Sequence, residues 1–137
     1  MRSYKLFISH AWHRDEEYER VVNMLNWDEQ RFRWENLSVP VSDPIHVTSE
    51  DDLEKGLRDR MRSSCAFIAC AGMYVPRSDW IVFEIQFARR IGRPIIMVPR
   101  WGQETLPQVL EPYSRACASR ADSLIRAIQA NALPEGQ

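Results

Sequence analysis

Short apolar runs alternate along the chain with stretches in which apolar residues recur every three or four positions. Residues 4–9, Tyr-Lys-Leu-Phe-Ile-Ser, are typical of a short strand. The next stretch predicts an amphipathic helix whose apolar residues share one face: Tyr18, Val21, Val22 and Leu25. A second strand is predicted over residues 31–39, and a second helix follows from the spacing of Leu53, Leu57 and Met61.

Two later runs, residues 65–71 and 94–98, are almost continuously apolar, which is typical of strands buried on both faces. Between them, residues 80–91 predict a helix that is apolar on most sides and ends at Gly92. We therefore expect this helix to be central and well covered by the rest of the fold.

The end of the chain has a weaker pattern. A fifth strand is predicted over residues 113–118, but Ser114 and Arg115 interrupt its apolar run. A last helix is predicted from three apolar residues that share one face: Leu124, Ile125 and Ile128.

Strands that alternate with helices predict an α/β fold, a flavodoxin-like doubly wound parallel sheet of about five strands with helices on both faces. We expect a single domain over residues 1–130, followed by a disordered tail, residues 131–137. In such a sheet the ligand crevice lies beyond the carboxyl ends of the strands. The candidate site therefore involves four loops: residues 9–13, 37–48, 72–79 and 99–107.

Charge and composition exclude several classes of protein. The 137 residues contain 18 basic and 19 acidic side chains, a balance that argues against a general nucleic-acid binder. No apolar run is long enough to span a membrane, and the chain enters its first strand too early for a signal peptide. Three unpaired cysteines are expected to be free thiols in a reducing, cytoplasmic environment.

The basic side chains are 16 arginines and only 2 lysines. Composition bias explains this excess in the simplest way, but a few guanidinium groups would suit a pyrophosphate. Arg77 and Arg100 are the first to test, because both fall in the loops of the expected crevice.

Glu84 is the strongest candidate for chemistry, because a carboxyl group on an otherwise apolar helix is costly to bury without a partner. Trp80 lies one turn before it on the same helix face. The structural alternative is an ion pair of Glu84 with an arginine such as Arg77 or Arg33.

Polar side chains in two of the crevice loops are further candidates for binding a ligand. Ser9, His10 and Trp12 follow the first strand, although the simpler explanation of Ser9 is that it caps the next turn. In the second loop the candidates are Asn36, Ser38 and Asp43, although this loop would equally be a plain surface connection.

The sequence lacks the motifs of several common sites. No His, Cys or carboxylate set has the spacing of a metal site. None of the five glycines forms a dinucleotide-binding fingerprint or a P-loop, which disfavours a dehydrogenase or an NTPase. The other tryptophans, Trp27, Trp34 and Trp101, are expected to pack in the core or against loops.

Two segments resemble a known family. Residues 4–10, Tyr-Lys-Leu-Phe-Ile-Ser-His, resemble the opening strand of TIR-like domains, and residues 78–84 match their W-x-x-x-E helix. Residues 36–40, 72–74 and 92–96 also resemble the stand-alone bacterial TIR-like proteins of Thoeris anti-phage systems. The resemblance extends from Tyr4 to about Ile128 and weakens towards the carboxyl end.

The resemblance implies cleavage of NAD+ between nicotinamide and ribose, with NAD+ as substrate and no cofactor. Glu84 would be the catalytic carboxylate and Trp80 the wall beside it, while the loops at residues 9–12 and 36–43 would flank the nucleotide. It further implies a cyclic or modified ADP-ribose signal for a separate effector in antiviral defence, and self-assembly through TIR–TIR contacts.

Two alternatives belong to other classes. The same fold serves non-catalytic TIR modules that only bind other TIR domains. We expect such an adaptor to carry a further domain, for which 137 residues leave no room. A nucleoside-processing transferase with a related fold and a buried glutamate is the second alternative.

Overall fold

The computed structural model describes residues 1–9, 16–38, 50–71 and 78–135, with the backbone alone for residues 50–54, 57 and 78–81. In chain order its elements are β1 (Ser3–Ile8), α1 (Glu16–Leu25), β2 (Arg33–Asn36), α2 (Glu50–Ser63), β3 (Ala66–Cys70), α3 (Ser78–Arg90), β4 (Ile95–Val98), a 3₁₀ turn (Glu111–Tyr113), β5 (Ala116–Cys117) and α4 (Ala121–Asn131).

The five strands form one sheet in the order β2-β1-β3-β4-β5, and every neighbouring pair is parallel. This is the strand order of flavodoxin-like folds, so the predicted α/β fold is confirmed. The direction of winding reverses between β1 and β3. In folds of this kind the ligand crevice opens at that reversal, beyond the carboxyl ends of the two strands.

Burial separates the central strands from the edge strands. Every residue of β3 and β4 is buried, as their continuous apolar sequences predict. At one edge, β2 is largely exposed and spans only Arg33–Asn36, shorter than the predicted 31–39. At the other edge, β5 is reduced to Ala116–Cys117, shorter than the predicted 113–118. Polar edge strands pair over short lengths because apolar burial contributes little to them.

The helices cover both faces of the sheet. Helix α1 packs against α4. Helix α2 meets α3 where the Arg58 guanidinium lies 5.8 Å and 5.5 Å from the ring centres of Phe83 and Phe87. Right-handed crossovers that run in opposite directions along a sheet place their helices on opposite faces. Helix α1 therefore covers one face, and α2 and α3 cover the other.

The segment after α4 differs from the prediction. The Leu133 amide donates a hydrogen bond of 2.9 Å to the Cys65 carbonyl, and the Arg2 guanidinium donates to the Leu133 carbonyl. Residues 131–133, where the sequence predicted a loose tail, therefore pack at the amino ends of β1 and β3. Residues 136–137 lie outside the described residues.

Cys65, Cys70 and Cys117 are all free, and only Cys117 is exposed. None of the described helices combines the length and the apolar character that crossing a membrane requires. Within the described residues, no three His, Cys, Asp or Glu side chains group as metal ligands.

Candidate active site

Glu84 lies in the second turn of α3 and is almost completely buried, with 2% of its surface exposed. Its neighbours along the helix, Ile85, Phe87 and Ala88, are buried as well. The spacing of Glu84 and Ala88 places both on one face of α3. The carboxyl group therefore faces the apolar interior, on the helix that follows the central strand β3.

The Glu84 carboxyl group has an unmet hydrogen-bonding capacity. Its Oε1 atom is buried and has no hydrogen-bond partner. Burial raises its pKa from 4.5 to about 8, because the charged form is poorly solvated there. A buried polar atom without a partner is uncommon in native proteins and is often found at functional sites.

The alternative of a structural ion pair is not seen in the described part of the chain. Arg33 is exposed on the edge strand β2, and the ion pairs among described residues do not include Glu84. Arg77, the other expected partner, lies outside the described residues.

Ser9 lies directly after β1, at the reversal of winding between β1 and β3. It is completely buried. Its Oγ accepts a hydrogen bond of 3.0 Å from the Cys70 amide, and its own amide donates to the Ile68 carbonyl at 2.9 Å. Ser9 therefore ties the carboxyl ends of β1 and β3 together at the mouth of the expected crevice.

Ser38 and Asn36 form a second set of bonds at the same edge. Ser38 Oγ accepts a hydrogen bond of 2.8 Å from the Ile8 amide. Asn36 Oδ1 accepts from the Ser38 amide at 2.9 Å, and Asn36 Nδ2 donates to the Tyr18 hydroxyl at 2.9 Å. Both side chains thus hold β1, β2 and α1 in register at the start of the second crevice loop.

Tyr18 was predicted only as an apolar residue of α1, so its part in this network was missed. The signal that could have revealed it is weak, since a tyrosine on a buried helix face needs a partner for its hydroxyl. Sequence spacing does not identify which residue supplies that partner.

The remaining candidates are only partly placed. Trp80 is four residues before Glu84 in α3, so the two positions share one side of the helix. His10, Trp12 and Asp43 lie outside the described residues. Ser9 and Ser38 are brought together around the end of β1, whereas no described hydrogen bond joins either of them to Glu84.

Two surface grooves of about 250 and 480 Å³ lie elsewhere, along the exposed sides of α1 and α4. Both are lined in part by Trp27, and neither is lined by Glu84. These two grooves therefore open on a different part of the surface from α3 and its buried carboxyl group.

Two tryptophans are not packed as the sequence predicted. Trp27 is 65% exposed beyond the end of α1, and Trp101 is 73% exposed beyond the end of β4. Trp34 is half-buried, and its indole nitrogen donates to Asn26 Oδ1 at 2.8 Å. The expectation of packing is thus wrong for Trp27 and Trp101.

Comparison with solved structures supports the fold. The chain is similar to the CMP N-glycosidase BcmB of Clostridium botulinum, with 18% identity, a TM-score of 0.54, and coverage of 91% of this chain and 98% of that chain. It is also similar to a 2-deoxyribosyltransferase of Bacillus psychrosaccharolyticus, with 9% identity, a TM-score of 0.59, and coverage of 88% and 89%. At these identities the likeness concerns the fold alone.

Sequence comparison identifies the family. No curated protein matches the chain. The family model of the TIR-like domain of Thoeris protein ThsB matches residues 7–105, which include the end of β1, Ser9, Asn36, Ser38 and Glu84. This match covers most of the chain, and the chain therefore belongs to the Thoeris ThsB TIR-like domain family.

Proposed function

We propose that this protein cleaves NAD+ between nicotinamide and ribose, with Glu84 as the catalytic carboxylate. The observation that carries the proposal is the buried Glu84 side chain, whose Oε1 atom has no hydrogen-bond partner. A group held in this way keeps its hydrogen-bonding capacity for a ligand. Membership of a defence-related TIR-like family supports the same reaction.

The chemistry of NAD+ requires only one carboxyl group. Glycoside hydrolases generally use two, because one must protonate a poor leaving group. Nicotinamide in NAD+ is already cationic and leaves as a neutral base, so no general acid is needed. A single carboxylate is then sufficient to bind the ribose hydroxyls and to stabilise the positive charge that develops at the anomeric carbon.

The raised pKa of Glu84 suits this role once substrate is bound. With a pKa of about 8, the carboxyl group is largely protonated at neutral pH in the free protein. A nearby cationic nicotinamide ring favours the carboxylate and lowers that pKa. We therefore expect kcat/KM for NAD+ to increase with pH up to about 8 and then to level off.

The fate of the ribosyl cation determines the product. Water gives linear ADP-ribose, whereas a group of the same nucleotide held close to the anomeric carbon reacts at a much higher effective concentration. We propose a cyclic or modified ADP-ribose that activates a separate effector protein during phage infection. The reaction would take place in the cytoplasm, with self-assembly through TIR–TIR contacts.

A second candidate is hydrolysis of the N-glycosidic bond between the sugar and an uncharged base of a nucleotide. The names of the two similar structures favour it: a CMP N-glycosidase and a 2-deoxyribosyltransferase. Such a base is a poor leaving group and needs a general acid. A carboxyl group with a pKa of about 8 is protonated and able to act as that acid at neutral pH. Release of an uncharged base would therefore decrease above pH 8, whereas the NAD+ reaction increases up to about pH 8.

The test is to incubate the purified protein with NAD+ or CMP and to measure release of nicotinamide or cytosine from pH 6 to pH 9. Glu84→Gln replaces the carboxylate by an amide group of nearly the same shape. Gln86→Ala, at an exposed position two residues further along α3, is the matched control. We expect release of nicotinamide by the wild type and by Gln86→Ala, and its loss in Glu84→Gln.

Release of cytosine rather than nicotinamide would select the second candidate. A wild-type protein that releases neither base, at high concentration and with lysate of phage-infected cells added, would reject both reactions. The non-catalytic TIR interaction module would then be the remaining function.

A further inference from the structure

The loop after β4 begins with a tight turn that presents a large aromatic side chain. The Gln103 amide donates to the Arg100 carbonyl at 2.8 Å, which closes the turn. Gly102 has a φ of +85°, as the third position of a type II β-turn requires. Trp101 occupies the second position and is 73% exposed.

This turn is fixed to the first residues of α1. The Trp101 amide donates to Glu17 Oε1 at 3.0 Å. Glu17 Oε2 accepts from the Arg20 guanidinium at 2.8 Å, and the same guanidinium donates to the Pro99 carbonyl at 2.5 Å. Two charged side chains of α1 therefore hold the backbone on both sides of Arg100 in place.

The turn combines a fixed backbone with an exposed indole. A tryptophan on a surface turn normally gains stability by folding back onto apolar neighbours. Here the backbone is held by three hydrogen bonds, and the indole remains in contact with water. A preorganised aromatic surface binds a flat ligand at a low cost in conformational entropy.

The turn lies at the same edge of the sheet as the expected crevice. It begins two residues after β4 ends, and β4 is the neighbour of β3, at a strand spacing of about 4.8 Å. The turn is anchored to α1, which covers the opposite face of the sheet from α3 and Glu84. Trp101 and Glu84 are thus carried on opposite faces of the sheet, both towards the carboxyl ends of its strands.

We propose that Trp101 is the platform on which the adenine ring of the dinucleotide stacks, and that Glu17 and Arg20 are positioning residues for it. The inference rests on the proposed function, since it assigns the second end of the substrate whose first end meets Glu84. An aromatic face recognises a heteroaromatic base by offset stacking. Trp101 thereby selects a dinucleotide over a substrate that has only the nicotinamide end.

Binding is measured by calorimetry in the Glu84→Gln protein, so that no turnover interferes. The probes are ADP-ribose, which contains adenine, and nicotinamide mononucleotide, which does not. We expect Trp101→Ala to weaken the binding of ADP-ribose about tenfold or more and to leave nicotinamide mononucleotide unchanged. Trp101→Phe should keep the affinity for ADP-ribose within about threefold, because it retains an aromatic face.

Trp27→Ala is the matched control, because it removes a similarly exposed indole at the opposite end of α1. We expect it to bind both probes as the parent protein does. In the active protein, Trp101→Ala should increase KM for NAD+ and leave kcat unchanged, whereas Glu17→Ala should increase KM to a smaller extent. General damage to the fold would not produce this split between KM and kcat.

The outcomes separate the two proposals. If Trp101→Ala binds ADP-ribose as tightly as its parent, the platform is rejected and the proposed function stands. If the Glu84→Gln protein binds neither probe, and the wild type releases no nicotinamide, the proposed function fails and the platform fails with it.

Discussion

Glu17 and Glu84 are carried by helices on opposite faces of the sheet, and they differ in burial and in hydrogen-bond partners. Both oxygens of Glu17 have protein partners, the Arg20 guanidinium and the Trp101 amide. Glu84 is buried, and its Oε1 atom has none. The first arrangement uses a carboxylate to hold a loop in place. The second leaves a carboxyl group available for a ligand and lowers the stability of the protein in its charged form.

The largest expected effect concerns the stability cost of burying Glu84. Its pKa is 4.5 in the unfolded chain and about 8 in the folded protein, so the folded protein binds more protons between these values. The contribution of Glu84 to stability therefore decreases as pH increases from 4.5 to 8, and is constant on either side of that range. At about 1.4 kcal/mol per pKa unit, the change amounts to several kcal/mol.

Glu84→Gln should remove this contribution. Urea unfolding at pH 5 and pH 8 should show the variant gaining stability relative to the wild type as pH increases. Gln86→Ala on the same helix should follow the wild type. A difference between Glu84→Gln and wild type that does not change with pH would show that Glu84 is paired in solution.

The next effect is on activity and tests the contrast between the two carboxyl groups directly. Glu84→Gln should reduce kcat for nicotinamide release about 10²- to 10³-fold, as expected for loss of a group that stabilises charge in the transition state. Glu17→Gln should leave kcat within about threefold, because Glu17 is bonded to the protein. Equal losses in both variants would remove the distinction between them.

A smaller effect is expected at Ser9. Ser9→Ala removes the oxygen that accepts the buried hydrogen bond from the Cys70 amide, which should lower the free energy of unfolding by about 1–3 kcal/mol. Chemical denaturation measures this loss, and Ser63→Ala, which removes an exposed hydroxyl of α2, serves as control. A loss of nicotinamide release in a Ser9→Ala protein that retains its stability would instead indicate direct contact with the substrate.

The smallest effect is expected for the anchor of the turn after β4. Glu17→Ala removes a partly exposed ion pair and one bond to the Trp101 amide, which together should stabilise the fold by about 1 kcal/mol or less. The loss should decrease in high salt, because the ion pair is near the surface. A loss larger than that of Ser9→Ala would show that this anchor supports more than the turn.

The central part of the fold could be predicted because its signal is local. Every residue of β3 and β4 is apolar, and the helix that carries Glu84 has a clear start and end. The edge strands were predicted too long, since their pairing depends on a single neighbour. Ser114 and Arg115 weaken the apolar run of residues 113–118, but the sequence does not show that pairing with β4 is limited to Ala116 and Cys117.

The site could be predicted only where one residue carries the signal. Glu84 is unusual in its own helix, and its burial followed from that pattern. The bonds of Ser9 and Ser38 join residues 61 and 30 positions apart, so they depend on strand pairing rather than on local sequence. The exposure of Trp101 was missed for a similar reason, because the side chains that fix its turn come from α1.

The bonds that Leu133 forms with Arg2 and Cys65 bring both ends of the described chain to the amino edge of the sheet. In folds of this kind the ligand crevice opens at the opposite, carboxyl edge. A reporter domain, an affinity tag or a tether to a solid surface attached at either end would therefore leave the carboxyl edge of the sheet accessible. The same proximity would allow a short linker to join the two ends into a circular protein with the carboxyl edge of the sheet unobstructed.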